Sequence, residues 1–506
     1  MPSVRKNGFD NALYIEKQST EVLRRAEQFG KLYMEVGGKL FQDFHAERVL
    51  PGFDPDAKIR LLQKLGDRVE VIICIYAGDV EHRKYRGDFG ITYDNEVLRL
   101  IDEVRRWGIP VRGVVVTRFE PSMDAAAGFI GKLRNFGVKV YKHGMTAGYP
   151  LEPERILSEE GCGKNEFVET KRPIVAVIGP GPSSGKFATC LTQIYHEFKR
   201  GKTAGYAKYE TFPVWNLPVD HPVNIAYEAA TADLMDVNQI DNFHLDAYGV
   251  SAVNYNRDIE GFPILRTLLT RLMGQDAYKS PTDMGVNCAG FAITDDAVVR
   301  EAAGQEVIRR RFQTACEVLE GRCNEKSIDR VDGLLAKLGL KPEDRSVVVP
   351  ARNAAAEAKA LGKGFNGIYC GAAIQLHDGT IITGKNSPVM HAASSMILNA
   401  LKHLAGLPDW LHLIPEPYTQ SIMHLKSHTS HQTASSLDVT ELLIAIGISS
   451  ANSNAVMHAV EKLVELRDCD VHLSHVAGEG NSAGLRRLGV VATCDPVYPS
   501  SNLFLE

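Results

Sequence analysis

The sequence predicts an α/β protein whose N-terminal part folds as a mostly parallel, doubly wound sheet. Apolar runs of strand length, such as 69–79 and 111–119, are nearly continuous, which is typical of strands buried on both faces of a parallel sheet. Helical patterns separate these runs, and this alternation indicates parallel strand–helix–strand units. A segment rich in Gly, Pro and Ser, residues 179–185, joins one strand directly to a helix.

The N-terminal elements begin with a helix over 9–29 and a strand within 31–40. Turn residues separate the later elements, and apolar periodicity sets the type of each. Further strands are predicted at 69–79, 111–119, 138–144, 174–178 and within 203–222, and further helices at 57–65, 95–107, 123–136 and from Lys186 onwards.

Polar residues follow several of these strands. Asp79 stands at the end of one strand, and Lys208, Glu210 and Thr211 stand near the end of another. In doubly wound sheets ligands bind beyond the carboxyl ends of the strands. We therefore expect these four residues and the Gly-rich segment to surround one crevice.

Pattern changes along the chain predict three domains. Residues 1–225 form a Rossmann-like domain with the Gly-rich loop, and residues 226–345 form a mainly helical domain. Residues 346–506 return to α/β, with a β-hairpin around His377-Asp378-Gly379 and a long helical segment from Asp438 to Leu466.

Composition and charge exclude several classes of protein. The 506 residues carry a formal net charge of −5, which gives no general attraction to nucleic acid or to an anionic membrane. No apolar run approaches the ~18 residues of a membrane span. The nine cysteines are odd in number and never form Cys-x-x-Cys, which indicates buried thiols in a reducing compartment. We expect a cytoplasmic protein.

The Gly-rich segment GPGPSSGK predicts a phosphate-binding loop. Small residues let backbone N–H groups approach an anion, and the helix N-terminus adds about half a positive charge. The P-loop pattern is met only in part, because Pro180 stands five residues before Gly185 and Phe187 replaces the magnesium-binding hydroxyl, unless Ser184 or Thr189 substitutes. A plain turn between strand and helix stays an alternative. The residues expected to hold the cofactor are Gly179, Gly181, Ser183, Ser184, Gly185, Lys186, Asp79 and Thr211.

The same crevice supplies candidates for catalysis. Lys186 would stabilise developing charge on a phosphoryl group, and Glu210 with Lys208 would complete the site. Arg257 and Lys279 are retained as partners for a phosphate or carboxylate of the substrate. The expected cofactor is ATP or another nucleotide, with Mg²⁺. The expected partners are a phosphorylated small molecule and, in a homo-oligomer, further copies of the chain.

Two other functions remain open. Gly181-Pro182-Ser183-Ser184-Gly185 also fits the Gly-x-Ser-x-Gly elbow of hydrolases, with Ser183 as nucleophile and His221 or His244 as base. Alternatively, the chain binds a phosphorylated metabolite, or serves as a scaffold, without catalysis.

Histidines in the C-terminal third have spacings that suit metal ligands. His424, His428 and His431 could lie on one helical face, but no carboxylate accompanies them at ligand spacing. The only His-Glu pair, at His196, lacks the second histidine of a zinc peptidase, since Arg200 takes that position. We predict no zinc site.

The order of elements after residue 346 resembles the cytidine-deaminase fold, with a helix, a hairpin and then alternating helices and strands. Met390-His391-Ala392-Ala393 stands where that family has its His-x-Glu, and Ala393 replaces the glutamate. The second zinc motif, Pro-Cys-x-x-Cys, is absent from the sequence. The resemblance therefore implies a deaminase-like domain without its zinc ligands.

Three blocks resemble an uncharacterised bacterial protein family of about 500 residues. They are the segment from Gly179 to Gly201, the segment from Gly205 to Leu234, and the motifs YNRDIE and KSPTDMGVN. The resemblance covers essentially the whole chain. Some members carry the label of ATP-dependent peptidase, for which the sequence offers no zinc-peptidase motif.

Overall fold

The computed structural model describes residues 6–86, 89–429 and 436–500. The chain divides into two compact units. The N-terminal unit comprises residues 7–231 and 236–303, and the C-terminal unit comprises residues 232–235 and 304 onwards, with Lys6. The division falls inside the segment 226–345, for which the sequence predicts a separate helical domain.

Helices and short strands alternate through the N-terminal unit. Its strands are β1 (Leu32–Val36), β2 (Val69–Tyr76), β3 (Tyr85–Arg86), β4 (Ile91–Thr92), β5 (Val111–Thr117), β6 (Val140–Lys142), β7 (Ile174–Ile178), β8 (Gly205–Tyr209), β9 (Asn238–Ile240), β10 (Val253–Tyr255) and β11 (Gly285–Val286). Its helices are α1 (Asn11–Phe29), α2 (Phe44–Val49), α3 (Ala57–Lys64), α4 (Ala77–Glu81), α5 (Tyr93–Arg106), α6 (Asp124–Asn135), α7 (Pro153–Ile156), α8 (Lys186–Lys199), α9 (Pro222–Ala230), α10 (Asn242–Tyr248), α11 (Asn256–Met273), α12 (Pro281–Met284) and the first part of α13 (Asp296–Leu319).

Seven of these strands form one parallel sheet, in the order β11-β8-β1-β7-β2-β5-β6. The predicted α/β fold with a parallel sheet is therefore confirmed. Every residue of β7 is buried, as are the first seven of β2, because helices cover both faces of such a sheet.

The sheet reverses its winding between the neighbouring strands β1 and β7. The chain leaves β1 towards β2 on one side, and it leaves β7 through α8 towards β8 on the other side. Right-handed crossovers in opposite directions carry their helices to opposite faces and open a crevice between the two strand ends. The Gly-rich loop follows β7 and therefore lies at this switch point.

The C-terminal unit is built around a smaller mixed sheet, in the order β13-β12-β14-β15. Strands β12 and β13 form the predicted hairpin, with Gly379 at a φ of 89°, and β14 runs antiparallel to β12 but parallel to β15. Its elements are the remainder of α13, α14 (Glu325–Lys337), α15 (Val348–Ala360), β12 (Gly371–Gln375), β13 (Ile381–Lys385), α16 (Ala392–Leu404), α17 (Glu416–Thr429), α18 (Val439–Ser450), α19 (Asn454–Glu461), β14 (Asp470–Leu473), α20 (Glu479–Leu488) and β15 (Val491–Cys494).

The predicted long helix from Asp438 to Leu466 is two helices, α18 and α19. Helix α18 ends at Ser450, and the Ser453 side chain accepts the N–H of Val456 to start α19. Serine at this position competes with the helix interior for backbone hydrogen bonds and favours a new N-terminus. Within the described ranges, no helix is both long and apolar enough to cross a membrane.

Candidate functional site

The Gly-rich loop makes a tight turn that has no room for a side chain at Gly181 or Gly185. Gly185, the last residue before α8, has a φ of 87°, and a Cβ there would lie 2.7 Å from the side chain of Thr117. Ser183 also adopts a positive φ, of 59°. A Cβ on Gly181 would lie 2.4 Å from the hydroxyl of Tyr93. The loop therefore packs directly on β5 and α5.

Side chains hold the carbonyl groups of the loop. Arg86 donates to the carbonyl of Pro180 at 3.2 Å, and Arg118 donates to that of Ser183 at 2.5 Å. Thr117 Oγ1 donates to the carbonyl of Ser184 at 2.9 Å. The hydroxyl of Ser184 itself donates to the carbonyl of Gly181 at 2.9 Å.

These bonds orient the N–H groups of the loop. In a trans peptide the N–H points away from the preceding carbonyl, so the N–H groups of Gly181, Ser184 and Gly185 face away from the side chains that hold the carbonyls. The first N–H groups of α8 have no partner within the helix. Among the described residues, none of the N–H groups from Ser184 to Ala188 has a hydrogen-bond acceptor. The loop thus presents donors without acceptors.

Lys186 is the first residue of α8 and places its charge at this loop. Its Nζ donates to the carbonyl of Gly181 at 3.4 Å, a long bond that a phosphate oxygen could replace. Its charge also reaches two buried thiols. Burial raises the pKa of Cys74 to about 12, and Lys186 opposes that shift; burial likewise raises the pKa of Cys190 well above its ordinary value.

A cluster of charged side chains lies on the next strands. Glu35 of β1 and Lys208 of β8 are register partners in the parallel sheet, so both side chains leave the same face. Lys208 Nζ lies 2.7 Å from Glu210 and in short contact with Asp258. Tyr206 donates its hydroxyl to Glu35 at 2.8 Å. We refer to Glu35, Lys208, Glu210 and Asp258 as the charged cluster.

Three carboxylates share a single ammonium in the charged cluster. Burial raises the pKa of Glu210 to about 7, and the charges of Asp258 and Glu35 add to that rise while Lys208 opposes it. Burial disfavours the charge of Lys208, but the carboxylates outweigh it and hold the pKa of the ammonium above its ordinary value. Because Lys208 is paired twice, it is less available to a phosphate than Lys186.

Phe187 connects the loop to the charged cluster. Its ring packs edge-on against Tyr206, with 5.4 Å between the centroids, and Tyr206 binds Glu35. The side chain of Glu210 packs over Gly37, 3.2 Å from where a Cβ would stand, so the loop after β1 closes the cluster. The structure thus brings Lys186, Lys208 and Glu210 to the carboxyl ends of the strands of the sheet.

The sequence analysis missed two members of the charged cluster. Glu35 sits in an otherwise apolar strand two residues before Gly37, and this lone carboxylate was the available signal. Asp258 follows Arg257 in a polar segment whose residue types also suit helix capping, so it carried no separate signal. It lies in the first turn of α11, 50 residues from Lys208 in sequence.

Asp79 and Thr211 differ in their relation to the loop. Asp79 lies in the first turn of α4 with Lys84 3.5 Å away, and its Oδ2 is buried without a hydrogen-bond partner among the described residues. Burial raises the pKa of Asp79, although Lys84 and Arg118 oppose this. Arg118 therefore neighbours both Asp79 and the loop. Thr211 instead places its hydroxyl 3.5 Å from that of Tyr14.

The two predicted substrate residues lie in different surroundings. Arg257 precedes Asp258 on α11 and pairs with Asp236 at 3.1 Å. Lys279 pairs with Asp276 at 2.7 Å in a surface group that also contains Arg266. Within the described chain, Lys279 makes no hydrogen bond or ion pair with the loop.

Magnesium would find few hydroxyl ligands at this loop. The hydroxyl of Ser184 is committed to the Gly181 carbonyl, and buried Thr189 accepts a hydrogen bond from Cys74 at 3.3 Å. The carboxylates of the charged cluster and Asp79 have the donor chemistry that this ion prefers. Among the described residues, however, no three of these carboxylates converge on one point.

The proposed serine–histidine pairs are not in contact. His221 Nδ1 accepts the N–H of Val223 and caps α9, and its Nε2 donates to Asp296 at 2.9 Å, so both ring nitrogens are engaged. His244 Nδ1 lies 2.9 Å from the Ser280 hydroxyl. Among the described residues no histidine hydrogen-bonds Ser183.

In the C-terminal unit, His391 stands at the start of α16, where the deaminase resemblance places a zinc ligand. Its Nδ1 accepts a hydrogen bond from the amide of Asn481 at 2.9 Å. His424 and His428 stack on α17 with 4.1 Å between ring centroids, and His431 lies outside the described residues. No three His, Cys, Asp or Glu side chains of the described ranges converge as a metal site.

Comparisons with known proteins identify relatives of the entire chain. A UPF0371 protein of Clostridioides difficile (strain 630) and one of Clostridium botulinum (strain Alaska E43 / Type E3) are each 51% identical over 500 residues, covering 99% of this chain and 99% of the relative. A UPF0371 protein of Clostridium tetani is 50% identical with the same coverage. Residues 7–339 match the domain of unknown function DUF1846, N-terminal, and residues 343–504 match its C-terminal counterpart. The predicted resemblance to a bacterial family of unknown function is confirmed, and the chain belongs to the DUF1846 family.

Proposed function

We propose that the N-terminal unit binds a nucleotide or another phosphorylated small molecule at the Gly-rich loop. The observation that carries this proposal is the loop itself: its carbonyls are held by Arg86, Thr117, Arg118 and Ser184, while its N–H groups from Ser184 onwards have no acceptor in the described chain. Ser184 is buried and Gly185 to Ala188 are partly exposed, and one anion would accept hydrogen bonds from several of these N–H groups at once.

Charge favours a phosphate over a neutral ligand here. The N-terminus of α8 contributes about half a positive charge, and Lys186 adds a full one at the same place. The position at the switch point of the sheet, between β1 and β7, is where ligands bind in folds of this type. A phosphate would replace the 3.4 Å contact between Lys186 and Gly181.

The charged cluster supports an enzymatic role for the same site. A carboxyl group whose pKa lies near 7 is suited to accept or donate a proton at neutral pH, and burial gives Glu210 that property. Lys208 would orient Glu210, and Glu35 or Asp258 would bind a hydroxyl of the ligand or a magnesium ion. Lys186 would stabilise charge that develops on a transferred phosphoryl group.

Thermal unfolding tests this proposal directly. ATP, ADP and phosphosugars are titrated with and without Mg²⁺ on the wild type, on Lys186→Ala and on Lys202→Ala, an exposed lysine beyond the far end of α8. At one hundred times the dissociation constant a ligand adds about 2.7 kcal/mol, which shifts the melting temperature by a few degrees. We expect the shift to persist in Lys202→Ala and to vanish in Lys186→Ala.

An equal shift in both variants would contradict the proposal, because the ligand would then bind elsewhere. Binding without turnover would favour the sensor or scaffold alternative. The hydrolase alternative keeps one favourable observation, the φ of 59° at Ser183, since nucleophilic serines occupy sharp strand-to-helix turns. It requires covalent labelling of Ser183 by a fluorophosphonate, and a folded protein that stays unlabelled removes it.

A further inference from the structure

Two cysteines of the C-terminal unit lie in direct contact although they are far apart in sequence. Cys316 is on α13 and Cys494 is the last residue of β15, and their sulfur atoms are 3.5 Å apart. Cys316 is buried, whereas Cys494 is partly exposed. A disulfide needs about 2.05 Å between the sulfurs, so a movement of about 1.5 Å would close the bond.

The surroundings give the two thiols different roles. Either sulfur can be the donor in this contact, and the Cys316 thiol also lies 3.5 Å from the carbonyl oxygen of Cys494, to which it can donate. The contact lowers the pKa of Cys494 although burial opposes this, and the backbone of Ala477 adds to the lowering. The same contact and burial raise the pKa of Cys316. The thiolate is the form that reacts, and Cys494 is also the more exposed of the two, so an oxidant meets Cys494 first and Cys316 attacks second.

We propose that Cys316 and Cys494 form a redox-active dithiol that a hydroperoxide converts into a disulfide. The Cys494 thiolate attacks the peroxide O–O bond, becoming a sulfenic acid and releasing hydroxide, or an alkoxide from an organic peroxide. The Cys316 thiol then attacks the Cys494 sulfur, which forms the S–S bond and releases water. The two sulfurs are oxidised by two electrons in total and one peroxide is reduced.

The contact distinguishes this pair from the other cysteines. The sulfurs of Cys74 and Cys469, by contrast, donate to the Thr189 hydroxyl and the Glu465 carbonyl. Cys323 belongs to the same unit and is also partly exposed, yet its sulfur contacts no other sulfur in the described part of the chain. It is therefore the matched control for reactivity that depends on exposure alone.

Peptide mapping of the full-length protein tests the proposal without any variant. The chain is treated with hydrogen peroxide, free thiols are alkylated in denaturant, and tryptic peptides are analysed without reduction. Trypsin cuts after Arg322, so Cys316 lies in peptide 312–322 and Cys323 in a different one, while Cys494 lies in peptide 488–506. We expect peptide 312–322 to be linked to peptide 488–506 by a disulfide. Two of the nine cysteines should then no longer react with the alkylating agent. Reduction with dithiothreitol should restore both.

Variants test the order of the two steps. In Cys316→Ser a sulfenic acid should persist on Cys494 and be trapped by dimedone, whereas Cys494→Ser should leave Cys316 unoxidised. Cys323→Ser should form the linked peptide as the wild type does. Absence of the linked peptide in peroxide-treated wild type, with Cys494 either unmodified or overoxidised, would overturn the proposal. Linkage of either cysteine to Cys323 instead would overturn it as well.

Discussion

At the scale of single residues, Glu210 contributes to the way stability responds to pH. Its carboxyl is buried, and its pKa rises from an ordinary 4.5 to about 7 in the folded protein. Between these values the native state binds more protons than the unfolded state, so stability falls as the pH rises from about 4.5 to about 7. The full effect is on the order of 3 kcal/mol, because each pKa unit corresponds to about 1.4 kcal/mol.

Urea unfolding of the wild type and Glu210→Gln at about pH 5 and about pH 8 measures this effect. We expect the wild type to lose more stability than the variant between the two values, since glutamine stays neutral throughout. Groups outside the charged cluster titrate equally in both proteins and cancel in the comparison. Parallel stability curves would show that Glu210 ionises in the folded protein as it does in the unfolded chain.

The charged cluster also shows where sequence reasoning ends at this scale. Lys208 and Glu210 could be named because they stand near the end of a predicted strand, where ligands bind in parallel sheets. Asp258 reaches Lys208 only through the position of α11, which follows two further short strands and is not encoded in local sequence. Predicting that Glu35 belongs to the cluster would have required the register between β1 and β8, which pairs Glu35 with Lys208.

At the scale of elements, the turn from β7 to α8 depends on Gly185. A Cβ at this position would lie 2.7 Å from Thr117, and the φ of 87° would strain any other residue. Gly201, which follows the same helix, has a φ of 70° but no atom within 4 Å of its would-be Cβ. A comparison of the single variants Gly201→Ala and Gly185→Ala therefore separates the cost of backbone strain from the cost of crowding.

Gly201→Ala should cost about 1 kcal/mol, the penalty of a left-handed conformation. Gly185→Ala should cost about 1–3 kcal/mol more, because Thr117 must move, and it should also weaken ligand binding at the loop. Chemical denaturation and the thermal-shift titration measure the two effects. Equal costs in both variants would mean that the loop has room to shift away from β5.

Most elements were predictable because their apolar periodicity is strong and their ends carry turn residues. The buried strands β2, β5 and β7 fall inside the predicted apolar runs. The hairpin β12–β13 has the Asp-Gly turn between its strands, as predicted. The break between α18 and α19 was not predicted, because Ala451 and Asn452 interrupt apolar spacing only briefly. Local capping by Ser453 decided the outcome.

At the scale of the whole molecule, the strand order could not be predicted from the alternation of elements. The sequence indicates that β1, β2 and β7 are parallel strands, but not that β7 enters between the other two. That insertion creates the switch point and so fixes where the Gly-rich loop lies. Long-range pairing of this kind depends on the packing of the complete sheet.

Helix α18 carries an exposed apolar face on which the expected self-association of the chain can be tested. Ile444 and Ile448, one turn apart, are 58% and 56% exposed, while Leu442, Ala445 and Ile446 of the same helix are buried. Large apolar side chains that are exposed together on one face of a helix mark a contact surface. We predict that a second copy of the chain covers this face.

Light scattering coupled to size exclusion should then give a mass that is a multiple of the 55.7 kDa chain. Replacing Ile444 and Ile448 together by Glu should reduce it to the single chain without lowering helix content, because both side chains point outward. Phe136→Glu is the matched control, since Phe136 is 67% exposed on the N-terminal unit and should leave the mass unchanged. A wild type that elutes as one chain at all concentrations would contradict the prediction, and a multiple that survives the double change would move the interface away from α18.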